Sequence, residues 1–364
     1  MTSLSLRCSS FFVFALTAGA LISLAAKAGG QSQSIGPAEP ADVFFSTYFG
    51  LSSSELASVH RGDVVVKTLS TDLPQEVAVA GALEIQVTPE FFVERLRNIA
   101  SFRRSENVLA VGAFGRPPSR VDLDSFFMAQ DDVNDLRGCR VGRCQVRFDQ
   151  EALERFATEL DWSAEDRMEQ AQVVARDTLW SYLSRYLVEG RVALPVYRDD
   201  DEPVALGEGA ELLLDHSTYL AQEVPAFRAY LDGIPARPDE RAENIFYWSN
   251  EVFGLKPVAS VTHTTIWRDP NAAADTVITS QQLYASHYFD ASLGVTFLFS
   301  DDRDEDAGLI MAYVNRTVGD GLDGWLGGLK RSIARSRARS GLSNTLGNLR
   351  RRLETQYGGQ NAGH

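Results

Sequence analysis

Between residues 245 and 314, five segments rich in β-branched and aromatic residues follow one another with only short stretches between them. They cover 245–253, 258–267, 277–285, 287–299 and 308–314, the composition expected of strands. Turn-forming residues cluster at 254–257, 268–271 and 301–306. Connections this short cannot carry the crossover that a parallel pair needs, so neighbouring strands must run antiparallel. The last third of the chain is thereby committed to a large antiparallel sheet, and the remaining residues must supply its cover.

Upstream, residues 64–69 read as a strand, and Val77, Val79, Leu83, Ile85 and Val87 alternate at the period of a half-buried one. Thr88 suits the N-cap of a following helix, Pro89 its first position and Glu90 its positive end. Phe92, Leu96 and Ile99 then recur at helical spacing. Segments 108–114 and 121–128 read as further strands. A short helical turn through Val59 opens at Ser53 or Ser54.

From about residue 130 to 235 the pattern is helical. Asp149 is placed to cap a helix carrying Leu153, Phe156 and Leu160, and Ser163 a longer one that Gly190 ends. Further helices are expected over 210–222 and from Pro225. Met168, Trp180 and Tyr182 fit plain core packing at this spacing better than a ligand box. After the sheet come two apolar stripes: Leu322, Leu326, Leu329 and Ile333, then Leu342, Leu346, Leu349 and Leu353. At about 100° per residue the stripes are out of phase, which predicts a break at Ser340-Gly341.

Residues 1–28 combine Arg7, an apolar run from Phe11 to Ala26 and the small-x-small triplet Ala26-Lys27-Ala28. This is the pattern of an export signal cut before Gly29. An uncleaved anchor is the alternative, because 9–26 is nearly long enough to span a bilayer. Residues 29–40 read as a linker, 41–357 as one domain and 358–364 as a disordered tail. The expected location is periplasmic or secreted. Cys139 and Cys144, the cysteines beyond the export segment, read as a disulfide of an oxidising compartment. No further Cys or His stands near them to complete a zinc site.

The chain carries a net charge of −14, yet residues 330–352 hold eight Lys or Arg and no acid. The acidic body argues against nucleic acid as a partner. The basic segment either docks on its own body or meets an anionic membrane surface.

No nucleophile elbow, phosphate-binding loop, dinucleotide fingerprint or His-Glu-x-x-His is present, and no cofactor or metal is expected. Asp302, Asp304 and Asp306 begin a calcium-loop pattern, but Ala307 stands where Gly is required and Tyr313 where Glu is expected. The run therefore reads as a solvated hairpin tip. His263 and His287 fall on two of the strand segments, as a general base, a metal pair, a polar handle for ligand or satisfied core histidines.

Strand, corner and helix over residues 77–99, then a meander and a C-terminal helix over 258–353, resemble the START-like helix-grip superfamily. The resemblance implies an α+β fold in which a curved antiparallel sheet has the C-terminal helix packed across it, here with a helical insertion at about 130–235. It also implies an apolar cavity for a hydrophobic or lipid-like small molecule. Trp267, Leu283, His287, Phe289, Tyr313, Asn315 and Arg316 are then the expected ligand-facing residues. The expected function is extracytoplasmic binding or transport of such a ligand. The alternatives are a metal-independent hydrolase or cyclase using His263 and His287, and an envelope protein whose basic tail helix touches lipid.

Overall fold

A computed structural model of the chain describes residues 39–235, 238–252, 256–270, 272–301, 308–319 and 327–361. The export segment, nearly all of the linker, the acidic run at 302–306 and the glycine-rich stretch around Trp325 lie outside the described residues.

The chain opens with α1 (Pro40–Phe44), a π-helical turn (Phe45–Phe49) and α2 (Ser53–Val59). Ser52 and Glu55 cap α2 reciprocally, which sets its start. Strands β1 (Val65–Leu69) and β2 (Glu76–Ile85) form a hairpin; α3 (Pro89–Arg97), α4 (Ile99–Phe102) and β3 (Val108–Ala113) follow. The Thr88 side chain accepts from the Phe91 amide, as its position before Pro89 predicts.

The helical region holds α5 (Gln130–Leu136), α6 (Gln150–Thr158) and α7 (Arg167–Glu189). A two-residue hairpin, β4 (Val196–Tyr197) and β5 (Val204–Ala205), leads to α8 (Leu206–His216), α9 (Thr218–Glu223) and α10 (Pro225–Asp232). The meander is β6 (Ala242–Val252), β7 (Pro257–Trp267), β8 (Thr276–Ala285), β9 (Phe289–Asp301) and β10 (Gly308–Gly319), and α11 (Gly327–Asn361) ends the fold.

Eight strands make one antiparallel sheet in the order β1-β2-β10-β9-β8-β7-β6-β3, open at both edges. The fold is therefore α+β, with the C-terminal helix on the sheet as expected. Both faces are covered, by different parts of the chain. Helices α5–α10 and the first helical turns bury one face around Trp248, Val261, Trp267, Leu293, Phe297 and Val314. On the other, α3 and α11 bury Val79, Leu83, Ile266, Ile278, Leu298 and Met311. Gly81 of β2 lets α11 lie close: a Cβ there would stand 2.3 Å from Leu346 Cδ1. Each leucine so buried contributes about 1.5–3 kcal/mol of hydrophobic stabilisation.

Four local expectations need correction. Residues 121–128 form no strand: a 3-10 turn (Arg120–Leu123) starts there because Ser119 and Asp122 cap each other. Helix α7 begins at Arg167, later than Ser163 suggested, since the Ser163 hydroxyl is spent on Asp161 at 2.6 Å. The expected break at Ser340-Gly341 is absent, because Ala334 and Ala338 continue the inner stripe of Leu342, Leu346 and Leu353 without a change of phase. Ile333 of the other stripe is 45% exposed. The helix also runs through Asn361, past the expected domain end at 357.

Candidate ligand-binding trough

Strand alternation sends the odd-numbered residues of β10 to the face that α11 shares and the even-numbered ones to the insertion side. Along that α11-side face the chemistry changes lengthwise. At one end Ile245, Ile266, Ile278 and Leu298 meet Phe91, Phe92 and Leu96 of α3. At the other end the same strands present Ser249 and Glu251 (β6), Ser260, Thr262 and Thr264 (β7), and Ser280 and Gln282 (β8). Ser292 and Thr296 (β9) with Tyr313, Asn315 and Thr317 (β10) complete the row.

Register places these groups side by side. Thr264 pairs with Ser280, Ser280 with Gly294, and Gly294 with Asn315. Their hydroxyls are partly joined: Thr264 to Ser280 at 2.9 Å, Ser249 to Ser260 at 3.0 Å, and Ser292 to Thr317 at 3.0 Å. On this side α11 lies on β1 and β2 and reaches α4, which lies on β3 and β6, through Arg352. A plainly solvated sheet face would also carry Ser and Thr. Here, however, Ser249 and Thr264 are each 1% exposed, while Ser260, Ser280, Ser292, Tyr313 and Asn315 are half-buried.

Arg103, just after α4, packs against β6 at one side of the floor. Its guanidinium donates to Glu251 Oε1 at 2.6 Å and lies 5.8 Å from the centre of the Tyr247 ring. Tyr247 first, then Glu251 and Tyr313, raise its pKa above the ordinary guanidinium range. Glu251, in hydrogen-bond contact, is its counter-charge. Burial raises the pKa of the Tyr313 phenol, and a Cβ on Gly294 would meet its oxygen at 3.2 Å.

The residues expected to face ligand are divided by the sheet. Tyr313 and Asn315 line the trough. Trp267 is on the insertion side, stacked on Phe227 with centroids 5.2 Å apart and covered by Arg241. Leu283 is in the same core. A bulge between β7 and β8 turns both Leu283 and Tyr284 to that side. Arg316 reaches the buried Glu76 at 2.6 Å, and Glu76 also receives His216 at 2.7 Å. Phe289 opens β9, half-buried.

His263 and His287 have separate partners. His263 is buried beneath α7, where Asn244 Oδ1 accepts from Nε2 at 2.8 Å and the Tyr186 hydroxyl donates to Nδ1 at 2.9 Å. Burial first, and then the Arg191 charge, lower its pKa to about 3. Neither ring nitrogen is open to a substrate. His287 sits in a corner before β9, next to Tyr288 at φ 63°, and its Nε2 meets Asp132 of α5 at 2.9 Å, both buried. Asp290, near the start of β9, pairs with Arg147 at 2.7 Å.

Cys139 and Cys144 form the expected disulfide beyond α5. In the basic segment Arg335 and Arg352 turn to the body, on Thr71 and on the carbonyls of Phe102 and Arg104, whereas Arg337, Arg339 and Arg351 are exposed. Two small clefts lie away from the trough. One of about 170 Å³ is lined by Phe44, Val224, Phe297 and Phe299, and one of about 250 Å³ by Pro89, Arg268 and Asp269. Among the described residues no helix is long and apolar enough to cross a membrane.

Sequence readings named none of Arg103, Tyr247, Ser249, Thr264 or Ser280. The signal available was the every-second-residue series Ser260, Thr262, Thr264 and then Ile266, matched by Gln282, Ser280 and then Ile278 on the next strand. Searched against protein-family models and against curated proteins, the chain matches none.

Proposed function

We propose that this chain is an extracytoplasmic small-molecule binding protein whose ligand lies in the trough between the sheet and α11. The observation that carries this reading is the lengthwise change on one sheet face, from an apolar end packed under α3 to a partly accessible row of hydroxyls. Pockets of this kind hold ligands through a few convergent polar groups fixed on rigid elements. The Cys139–Cys144 disulfide supports an oxidising compartment. Enzymatic use of the histidines is the weaker reading, because His263 has both nitrogens engaged within the core.

The test is native mass spectrometry of the protein from an exporting host, before and after replacing Ser280 by Trp, which fills the floor. A discrete bound mass that disappears in Ser280→Trp is the expected result. A bound mass indifferent to Ser280→Trp would move the site elsewhere, and a chain without ligand would count against the carrier function.

A further inference from the structure

We infer that the trough takes a neutral, polyhydroxylated molecule of the sugar or polyol class and not an acyl lipid. The inference rests on the binding reading above and deepens it. Three features of the trough point this way.

The floor is ambivalent in hydrogen bonding. Each Ser or Thr hydroxyl has one proton to give and two lone pairs to offer. In Ser249–Ser260 and Ser292–Thr317 the protons are spent within the floor, Ser249 donating to Glu251 and Thr317 to Asn315, and lone pairs remain; Thr264–Ser280 keeps one proton to give as well. A ligand that is itself a string of hydroxyls, each both donor and acceptor, matches such a floor. A ligand with one polar head does not.

The cations beside the floor are engaged. Arg103 is paired with Glu251 at 2.6 Å, and Arg352 next to it donates to the carbonyls of Phe102 and Arg104. Among the described residues no second cation ion-paired or hydrogen-bonded to the floor is left over to bind a carboxylate or phosphate. Displacing Glu251 in favour of a ligand anion would leave that carboxylate, 11% exposed, without its partner.

The apolar end is occupied. Phe91, Phe92 and Leu96 of α3 share one apolar core with Ile266, Ile278 and Leu298 at that end of the hydroxyl row. The half-buried Tyr313 ring offers a flat, partly apolar surface beside the hydroxyls, which suits the C–H face of a sugar ring.

The experiment is calorimetric titration of the full chain with glucose, maltose and mannitol, with glucuronate and glucose 6-phosphate as charged counterparts and palmitate as the lipid arm. The same titrations are run on Thr264→Val with Ser280→Ala, on Ser280→Trp, and on Val192→Ser at an exposed surface site as a control. Thermal melts confirm that each variant folds. Binding of a neutral sugar or polyol, weakened about tenfold or more by Thr264→Val with Ser280→Ala and unchanged by Val192→Ser, is the expected result. Tighter binding of the charged counterparts by about tenfold would overturn the neutrality of the site. Palmitate bound and blocked by Ser280→Trp, with no neutral probe bound, would overturn the ligand class and leave the trough as the binding site. No neutral probe bound even in the millimolar range, with no effect of Ser280→Trp on any titration, would sink both the class and the trough.

Discussion

At the scale of single residues, His263 shows how a histidine is kept neutral. Asn244 accepts from one nitrogen, Tyr186 donates to the other, and Phe246 stacks on the ring at 4.3 Å. Its pKa in the fold, about 3, lies below the unfolded value of 6.5. The unfolded chain therefore binds a proton that the fold refuses, and stability falls as pH drops from 6.5 toward 3, by up to about 1.4 kcal/mol per unit. His263→Gln should lose that component. Urea unfolding at pH 7 and pH 4.5 should show a smaller acid penalty in the variant, and parallel losses would refute the assignment. Alternation alone separates Arg316 from Tyr313 and Asn315, so that part of the site was readable in the sequence. The side taken by Leu283 and Tyr284 was not, since it follows from a bulge that no residue in the sequence announces.

At the scale of elements, the strands were legible because β-branched runs bounded by turn residues leave few alternatives. Helix α11 was legible as a helix and misread as broken. Counting leucines hid the alanines at 334 and 338, which hold the phase where the helix must pass close to the sheet. Contact between α11 and β2 depends on Gly81, over which Leu342 and Leu346 sit. Gly81→Val should force α11 outward and cost about 1–3 kcal/mol by overpacking. Denaturant unfolding would show the loss, and faster amide exchange confined to 342–353 would locate it. Unchanged exchange there would mean that the helix does not rest on Gly81.

At the scale of the whole molecule, the sheet separates two regions of unequal strength. The insertion side holds most of the large buried side chains, whereas α11 is held chiefly through Leu342, Leu346 and Leu353. Native-state exchange should therefore find α11 opening at a lower free energy than β7–β9, with bound ligand narrowing the gap. Equal protection in the absence of ligand would contradict this. Which face the helical insertion covers could not be read from the sequence, because both faces of β2 are lined with small or apolar residues from Val77 to Leu83. The arrangement of the covers has a consequence for how the molecule is made. A chain is synthesised from its N-terminus, so the insertion is in hand before the meander, and α11 is the last described element to appear. For that interval the polar floor exists with one wall missing. A molecule met at that stage needs no gate through which to enter.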